Sequence, residues 1–230
     1  MLAFGYYLAI WFQAIQGVNA LESGIRSLPF ILSLVVASIF AGMFITNLGY
    51  YTPLVILSAC LMAIGAGLLT TLRVNSGKPM WFGFQVIAGF GMGLGMQQPS
   101  LAAQVVLAAD DVAIGASLMF FAQSFGGAIF VCAAQNVFVN KLVENLSKVP
   151  GTSLQFLAGV GATDLRDMVP VTQLPDVLVA YNGAITTAFY VGMSVACVAI
   201  VPALTLEWKS VKKAKKAATC DSVEAKADAV

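Results

Sequence analysis

The stretch LPFILSLVVASIFAGMFIT, Leu28–Thr46, decides the class of fold. It carries no charged residue, and its polar side chains are Ser33, Ser38 and Thr46. A helix rises about 1.5 Å per residue and bilayer hydrocarbon is about 30 Å thick, so a run of this length predicts a membrane-spanning helix. Working outward, further spans are expected at 2–14, 53–72, 80–107, 114–139 and 184–206. The expected architecture is an all-α half-bundle of about six helices over residues 1–208, with an outer loop at 140–183 and a polar tail at 209–230. The span at 80–107 is long enough to need a tilt or a kink, and Pro99 is the expected kink. The span at 2–14 is short of the roughly 17–25 residues a free-standing spanner needs. It has no basic leader and no cleavage-site pattern followed by a soluble domain, so the expectation is a helix whose beginning lies upstream.

Composition agrees with a lipid solvent. Apolar residues make up 59% of the chain and charged residues 10%, against roughly 25% charged for an ordinary soluble domain. The net charge of +1 comes without a basic patch interleaved with aromatics, which excludes a nucleic-acid partner. The four cysteines form no CxxC or Cys/His cluster, and Cys60, Cys132 and Cys197 are expected to pack as small hydrophobes within apolar runs. The sequence contains no histidine, which removes the usual metal ligand and the usual general base; no metal and no cofactor is expected. An intramembrane enzyme would need a nucleophile, an acid pair or a metal site at depth, and only amides, hydroxyls and thiols are on offer.

The residues expected to carry function are the polar ones at membrane depth, since an amide in hydrocarbon is costly unless it faces protein or a wet cavity. They are Gln13 on the first span, Gln85, Gln97, Gln98 and Gln104 on the fourth, and Gln123, Gln135 and Asn136 on the fifth. The second, third and sixth spans have no Asn or Gln in their apolar interiors, so a cavity lined by the first, fourth and fifth is expected. Gln97 and Gln104, two turns apart, share a helix face, and Gln98 projects about 100° away. Beside them, Pro99 deprives the Gly95 carbonyl of its helical donor. These amides read either as the wall of a binding site or as interhelical hydrogen bonds that hold the bundle together.

Gly89, Gly91, Gly93 and Gly95 give two overlaid Gly-x-x-x-Gly spacings, with Gly126 and Gly127 on the fifth span. They are read as packing positions, because small residues let backbones approach in lipid. A dinucleotide loop is excluded, as no strand precedes them and no acidic residue follows at the required distance. No charged residue falls near mid-membrane: Glu22 and Arg26 precede the second span, Asp110 and Asp111 suit the amino end of the fifth, and Glu207 closes the sixth.

The cluster Lys209, Lys212, Lys213, Lys215 and Lys216 places the tail in the cytoplasm by the positive-inside tendency, and hence residues 140–183 outside. That outer segment is punctuated by Pro150, Pro170 and Pro175, with short surface helices expected at 163–169 and 176–181. Asn145-Leu146-Ser147 within it is a glycosylation sequon on the correct side.

Several strings go further. Tyr6-Tyr7-Leu8-Ala9-Ile10-Trp11-Phe12-Gln13-Ala14, Gly49-Tyr50-Tyr51-Thr52-Pro53 and Gly93-Leu94-Gly95-Met96-Gln97-Gln98-Pro99 resemble the second half of fungal fourteen-helix drug:proton antiporters of the major facilitator superfamily (MFS). Val169-Pro170 and Ala180-Tyr181-Asn182-Gly183-Ala184 are similar to that family too. The resemblance implies the carboxy-terminal six-helix half of such a pump, with the first and fourth helices lining the cavity and the third and sixth peripheral. It implies export of small hydrophobic or amphipathic toxins, drugs or secondary metabolites across the plasma membrane by proton antiport. Tyr7, Trp11 and Gln13 would meet the substrate together with Gln97, Gln98, Gln104 and Gln123. The chain departs from the family in lacking the amino-terminal half, where the proton-coupling acid is expected, and in lacking basic residues around Gly49-Tyr50. The alternative is therefore a truncated membrane module that does not transport alone, and is inert or pairs with a missing half or another transporter.

Overall fold

The computed structural model describes residues 2–107, 111–149, 169–170 and 172–205. The tail at 209–230 with its lysine cluster, and the short helix expected at 163–169 apart from Val169, lie outside the described residues. The elements are α1 (Leu2–Gln16), α2 (Ala20–Arg26), α3 (Leu28–Leu48), α4 (Thr52–Thr70), α5 (Lys78–Gly95), α6 (Gln98–Val106), α7 (Val112–Leu146) and α8 (Leu174–Thr205).

Local chemistry sets most of the boundaries. Pro29, Pro53, Pro79 and Pro99 each sit in the first turn of α3, α4, α5 and α6, where the absent N–H has no helical partner to lose. Gly49 ends α3 at φ 79°, a left-handed conformation that glycine adopts without strain, and its N–H closes on the Ile45 carbonyl at 2.7 Å. Asn19 caps α2 by accepting the Glu22 N–H at 2.8 Å, and Glu22 in turn pairs with Arg26 one turn on.

Four helical segments among the described residues are long and apolar enough to cross a membrane: Ala20–Leu48, Thr52–Thr70, Val112–Leu146 and Leu174–Thr205. The chain is a multi-pass membrane protein. α1 has 15 residues, and the long fourth span is divided into α5 and α6 by a break at Met96–Gln97. The helices flanking the 140–183 segment reach well into it, α7 to Leu146 and α8 back to Leu174. At about 1.5 Å per residue both are on the order of 50 Å long, more than the roughly 30 Å thickness of bilayer hydrocarbon. Leu142 and Leu146 on α7 and Val177, Leu178 and Tyr181 on α8 are buried, which keeps these polar-flanked ends helical where apolar run length alone placed a loop.

Packing centres on two elements. α1 buries Tyr7, Leu8, Trp11 and Phe12 almost completely, with Phe12 edge-on to Trp81 of α5 and Phe4 stacked on Phe189 of α8. α5 lies between α3 and α4, and its glycines divide between the two neighbours. Gly89 abuts Phe30 and Ser33 of α3, and Gly93 abuts Leu34 and Ala37. Gly91 meets the backbone of Leu61 and Met62 in α4, and Gly95 abuts Ser58. Residues two apart on a helix point about 200° from each other, so each of the two interleaved spacings serves one neighbour. Ser58 Oγ donates to the Gly91 carbonyl at 2.7 Å across the α4–α5 contact.

The outward faces are apolar, with Ile31, Leu32, Val35, Val36 and Ile39 exposed on α3 and Phe120, Phe121 and Phe125 on α7. Cys132 and Cys197 also lie on exposed faces, while Cys60 is half-buried. The two exposed thiols therefore do not pack in the interior of the bundle as expected, because their helix faces point away from the other helices of the chain. The ion pairs among the described residues, Glu22–Arg26 and Lys141–Glu144–Lys148, sit near helix ends.

The glycine contacts are directional and testable. A Cβ on Gly65 would fall 2.6 Å from the Ala88 Cα, whereas one on Gly126 would meet nothing within 4 Å. Gly65→Ala is expected to destabilise the bundle by about 1–3 kcal/mol and Gly126→Ala to leave it unchanged or slightly firmer. Unfolding in mixed micelles, followed by circular dichroism, measures both.

Candidate functional site

The break between α5 and α6 follows from Pro99, which offers no N–H to the Gly95 carbonyl. Gln98 fills part of the local deficit by donating its side-chain Nε2 to the Leu94 carbonyl at 2.9 Å. The side chain is 1% exposed, and its Oε1 has no hydrogen-bond partner. Gln97 and Gln104, by contrast, are exposed, and with Gln98 they line a cavity between α6 and α3.

That cavity has a volume of ≈ 450 Å³, within the range of small-molecule sites. Gln97, Gln98, Ser100 and Gln104 line one wall, and Ser38, Ala41, Gly42 and Thr46 of α3 the other. Its lining carries no charged side chain. Such a surface can hold an uncharged or weakly polar molecule by apolar contact plus amide and hydroxyl hydrogen bonds; it has no group to bind a metal or to transfer a proton. Among the described residues there is no cluster of His, Cys, Asp and Glu that could hold a metal.

The remaining sequence candidates lie elsewhere. Tyr7 and Trp11 do not reach this cavity; each is fully buried and spends its polar atom on a neighbouring helix. Tyr7 donates to Gln135 Oε1 on α7 at 2.8 Å, and Trp11 Nε1 donates to Asn182 Oδ1 on α8 at 2.8 Å. Gln13, half-buried on α1, is not among the cavity residues. Gln123 lies on the exposed face of α7, and Asn136 on the same helix returns its amide to the Cys132 carbonyl at 3.1 Å. Gln85 is buried completely one turn from Trp81, and neither its amide atoms nor Trp81 Nε1 have partners. Asn145, the sequon asparagine, sits in the last turn of α7 and donates to the Ala180 carbonyl of α8 at 3.1 Å.

Two contributors were missed in the sequence. Asn182 accepts from Trp11 and also donates to the Leu72 carbonyl at 3.0 Å, so one amide joins α1, α8 and the end of α4. It falls within the expected 140–183 loop because the polar residues before it hide the start of α8, although Leu174-Pro175-Asp176 carries a helix-start signal. The second is the α3 wall: Ser38 and Thr46 border the cavity, and a hydroxyl within an apolar span gives a weaker signal than an amide.

No protein-family model matches the chain. It is 47% identical over 211 residues to the efflux pump roqT of Penicillium rubens, and 48% over 211 residues to the MFS-type efflux pump MFS1 of Trichophyton rubrum. It is 45% identical over 212 residues to the rubrofusarin-specific efflux pump aurT of Gibberella zeae. These matches take in 91–92% of the chain, which spans 39% of the length of each relative.

The Trp11–Asn182 pair supplies the prediction here. A double-mutant cycle of Trp11→Phe and Asn182→Ala, read by chemical unfolding in bicelles, is expected to give a coupling energy of about 0.6–1.7 kcal/mol. Asn182→Ala alone should cost more than Trp11→Phe alone, because it strands both the indole N–H and the Leu72 carbonyl.

Proposed function

From a chain homologous over nine-tenths of its length to fungal MFS-type efflux pumps, which are transporters and not enzymes, we propose a part in exporting small hydrophobic or amphipathic secondary metabolites and toxins. The activity is proposed for the pump as a whole, in which this chain would supply the carboxy-terminal six-helix half. The observation that carries the reading is the uncharged amide cavity between α3 and α6. Its apolar wall tolerates varied ring systems, and Gln97, Gln98 and Gln104 offer both donors and acceptors without the desolvation cost of a charge.

Proton antiport is proposed as the drive. The cavity has no carboxylate that could titrate, so the coupling acid is assigned to another part of the pump. Alternating access by rocking of one six-helix half against the other would open the cavity to each side in turn. The plasma membrane, with the lysine-rich tail in the cytoplasm, fits toxin export and the positive-inside tendency. Tyr7 and Trp11 are assigned to bracing α1 instead of contacting substrate, because their polar atoms are committed.

The test uses the complete pump in a yeast strain deleted for its own drug exporters. Gln97→Ala and Gln104→Ala, both at exposed positions that should not disturb folding, are each expected to lower export of a polyketide toxin about 2–10-fold at unchanged membrane levels. Export should collapse with a protonophore. Unaltered export by the double variant would remove the cavity from the transport path, and protonophore-insensitive export would remove proton coupling.

A further inference from the structure

The two walls of the amide cavity differ in what they can exchange with a molecule held between them. On α3, Ser38 Oγ donates its hydrogen to the Val35 carbonyl at 2.8 Å, and Thr46 Oγ1 donates to the Gly42 carbonyl at 2.9 Å. A hydroxyl has one hydrogen and two lone pairs, so both side chains meet the cavity as acceptors. To serve a carbonyl or ether oxygen, either would first have to give up its bond to the backbone. On α6, the amides of Gln97 and Gln104 each carry an acceptor oxygen and two donor hydrogens, and suit a partner of either kind.

Spacing adds a second requirement. Ser38 and Thr46 lie two turns apart on α3, about 12 Å along its axis. Gly89 abuts Phe30 and Ser33, and Gly93 abuts Leu34 and Ala37, so α5 runs parallel to α3 and in step with it. Continued past the break, that register brings Ser38 near the level of Gln97 and Thr46 near the level of Gln104. Each level pairs an acceptor fixed on α3 with an adaptable amide on α6. Between the levels the lining is apolar, from Ala41, Gly42 and Leu101.

We propose that the amide cavity selects elongated neutral molecules by the hydroxyl or N–H groups they turn toward α3, one near each end and about 12 Å apart. The same skeleton with those hydrogens capped leaves Ser38 and Thr46 covered and unpaired, and is bound more weakly. The inference rests on the proposed reading of this cavity as the substrate site and gives that site its selection rule. Groups turned toward α6 are not discriminated, because an amide can reverse to suit them.

The experiment titrates para,para′-dihydroxystilbene against the purified chain in nanodiscs by stilbene fluorescence, with empty nanodiscs subtracted and affinities corrected for partition into lipid. Its two phenols stand at opposite ends of a rigid apolar body and are uncharged at neutral pH. Saturable binding is expected, weakened about tenfold by each methyl ether introduced, first in the monomethyl and then in the dimethyl compound. The Ser38→Ala, Thr46→Val chain, altered at two positions that are not buried, should bind the diphenol no better than the dimethyl ether and leave the ether's own affinity unchanged. Circular dichroism and the thermal midpoint report that it is folded. Gly42→Leu, at a position with open space, should abolish binding of both compounds. A dimethyl ether bound as tightly as the diphenol by the unaltered chain overturns the selection rule. So does discrimination that persists without Ser38 and Thr46, binding that survives Gly42→Leu, or no saturable binding beyond the lipid control. Binding is read here without export, so a failure of donor selection is distinct from a failure of the transport reading, which the export assay of the Gln97 and Gln104 variants decides.

Discussion

The bundle depends on how closely the backbone of α5 can approach α3 on one side and α4 on the other. In lipid there is no exclusion of water to drive helices together, so stability comes from dispersion and from hydrogen bonds over short distances. Gly89 and Gly93 give α5 its contact with α3, and Gly91, Gly95 and the opposing Gly65 give it α4. Ser58 then reaches the Gly91 carbonyl because nothing stands between the two helices. The α5–α6 break comes directly after this contact, so the bend at Gln97–Pro99 springs from the most tightly held part of the bundle.

α1 is held by different means. It has few small residues at its contacts and relies on buried aromatics whose polar ends are tied to other helices, Tyr7 to Gln135 and Trp11 to Asn182. Asn182 also secures the carbonyl of Leu72, so the amide replaces a donor that the loop after α4 lacks. Where the C-terminal end of α7 meets the first turns of α8, Asn145 and the Ala180 carbonyl repeat the device. Among the amides, Gln135, Asn145 and Asn182 are spent on holding helices, Gln97 and Gln104 are left facing a cavity, Gln98 does both, and Gln85 is buried without a partner.

That division explains how much could be read from residues alone. The class of fold was legible in Leu28–Thr46, and Pro99 marked the break, because apolar length and a missing N–H act locally. The two interleaved glycine spacings were legible as packing positions, though not which neighbour each would meet. The amides at Gln97, Gln98 and Gln104 were visible as candidates, and the structure brings them to one cavity. It does not bring Tyr7 and Trp11 there, since a side chain's partner across 128 or 171 positions of chain leaves no local trace. The extent of α7 and α8 was hidden for another reason: the end of α7 and the start of α8 are polar on one face and packed on the other, a pattern that apolar run length cannot detect.

The glycine faces of α5 have a consequence for how this chain tolerates change. What they contribute is an absence of atoms, so no added side chain can improve them and almost any will displace a neighbouring backbone. The exposed apolar rows of α3 and α7 make no such close approach to another helix of the chain. Sequence drift should therefore accumulate on the outward surfaces while α5 stays nearly fixed. A search for stabilising substitutions belongs on α3 and α7, where there is space to fill at little steric cost.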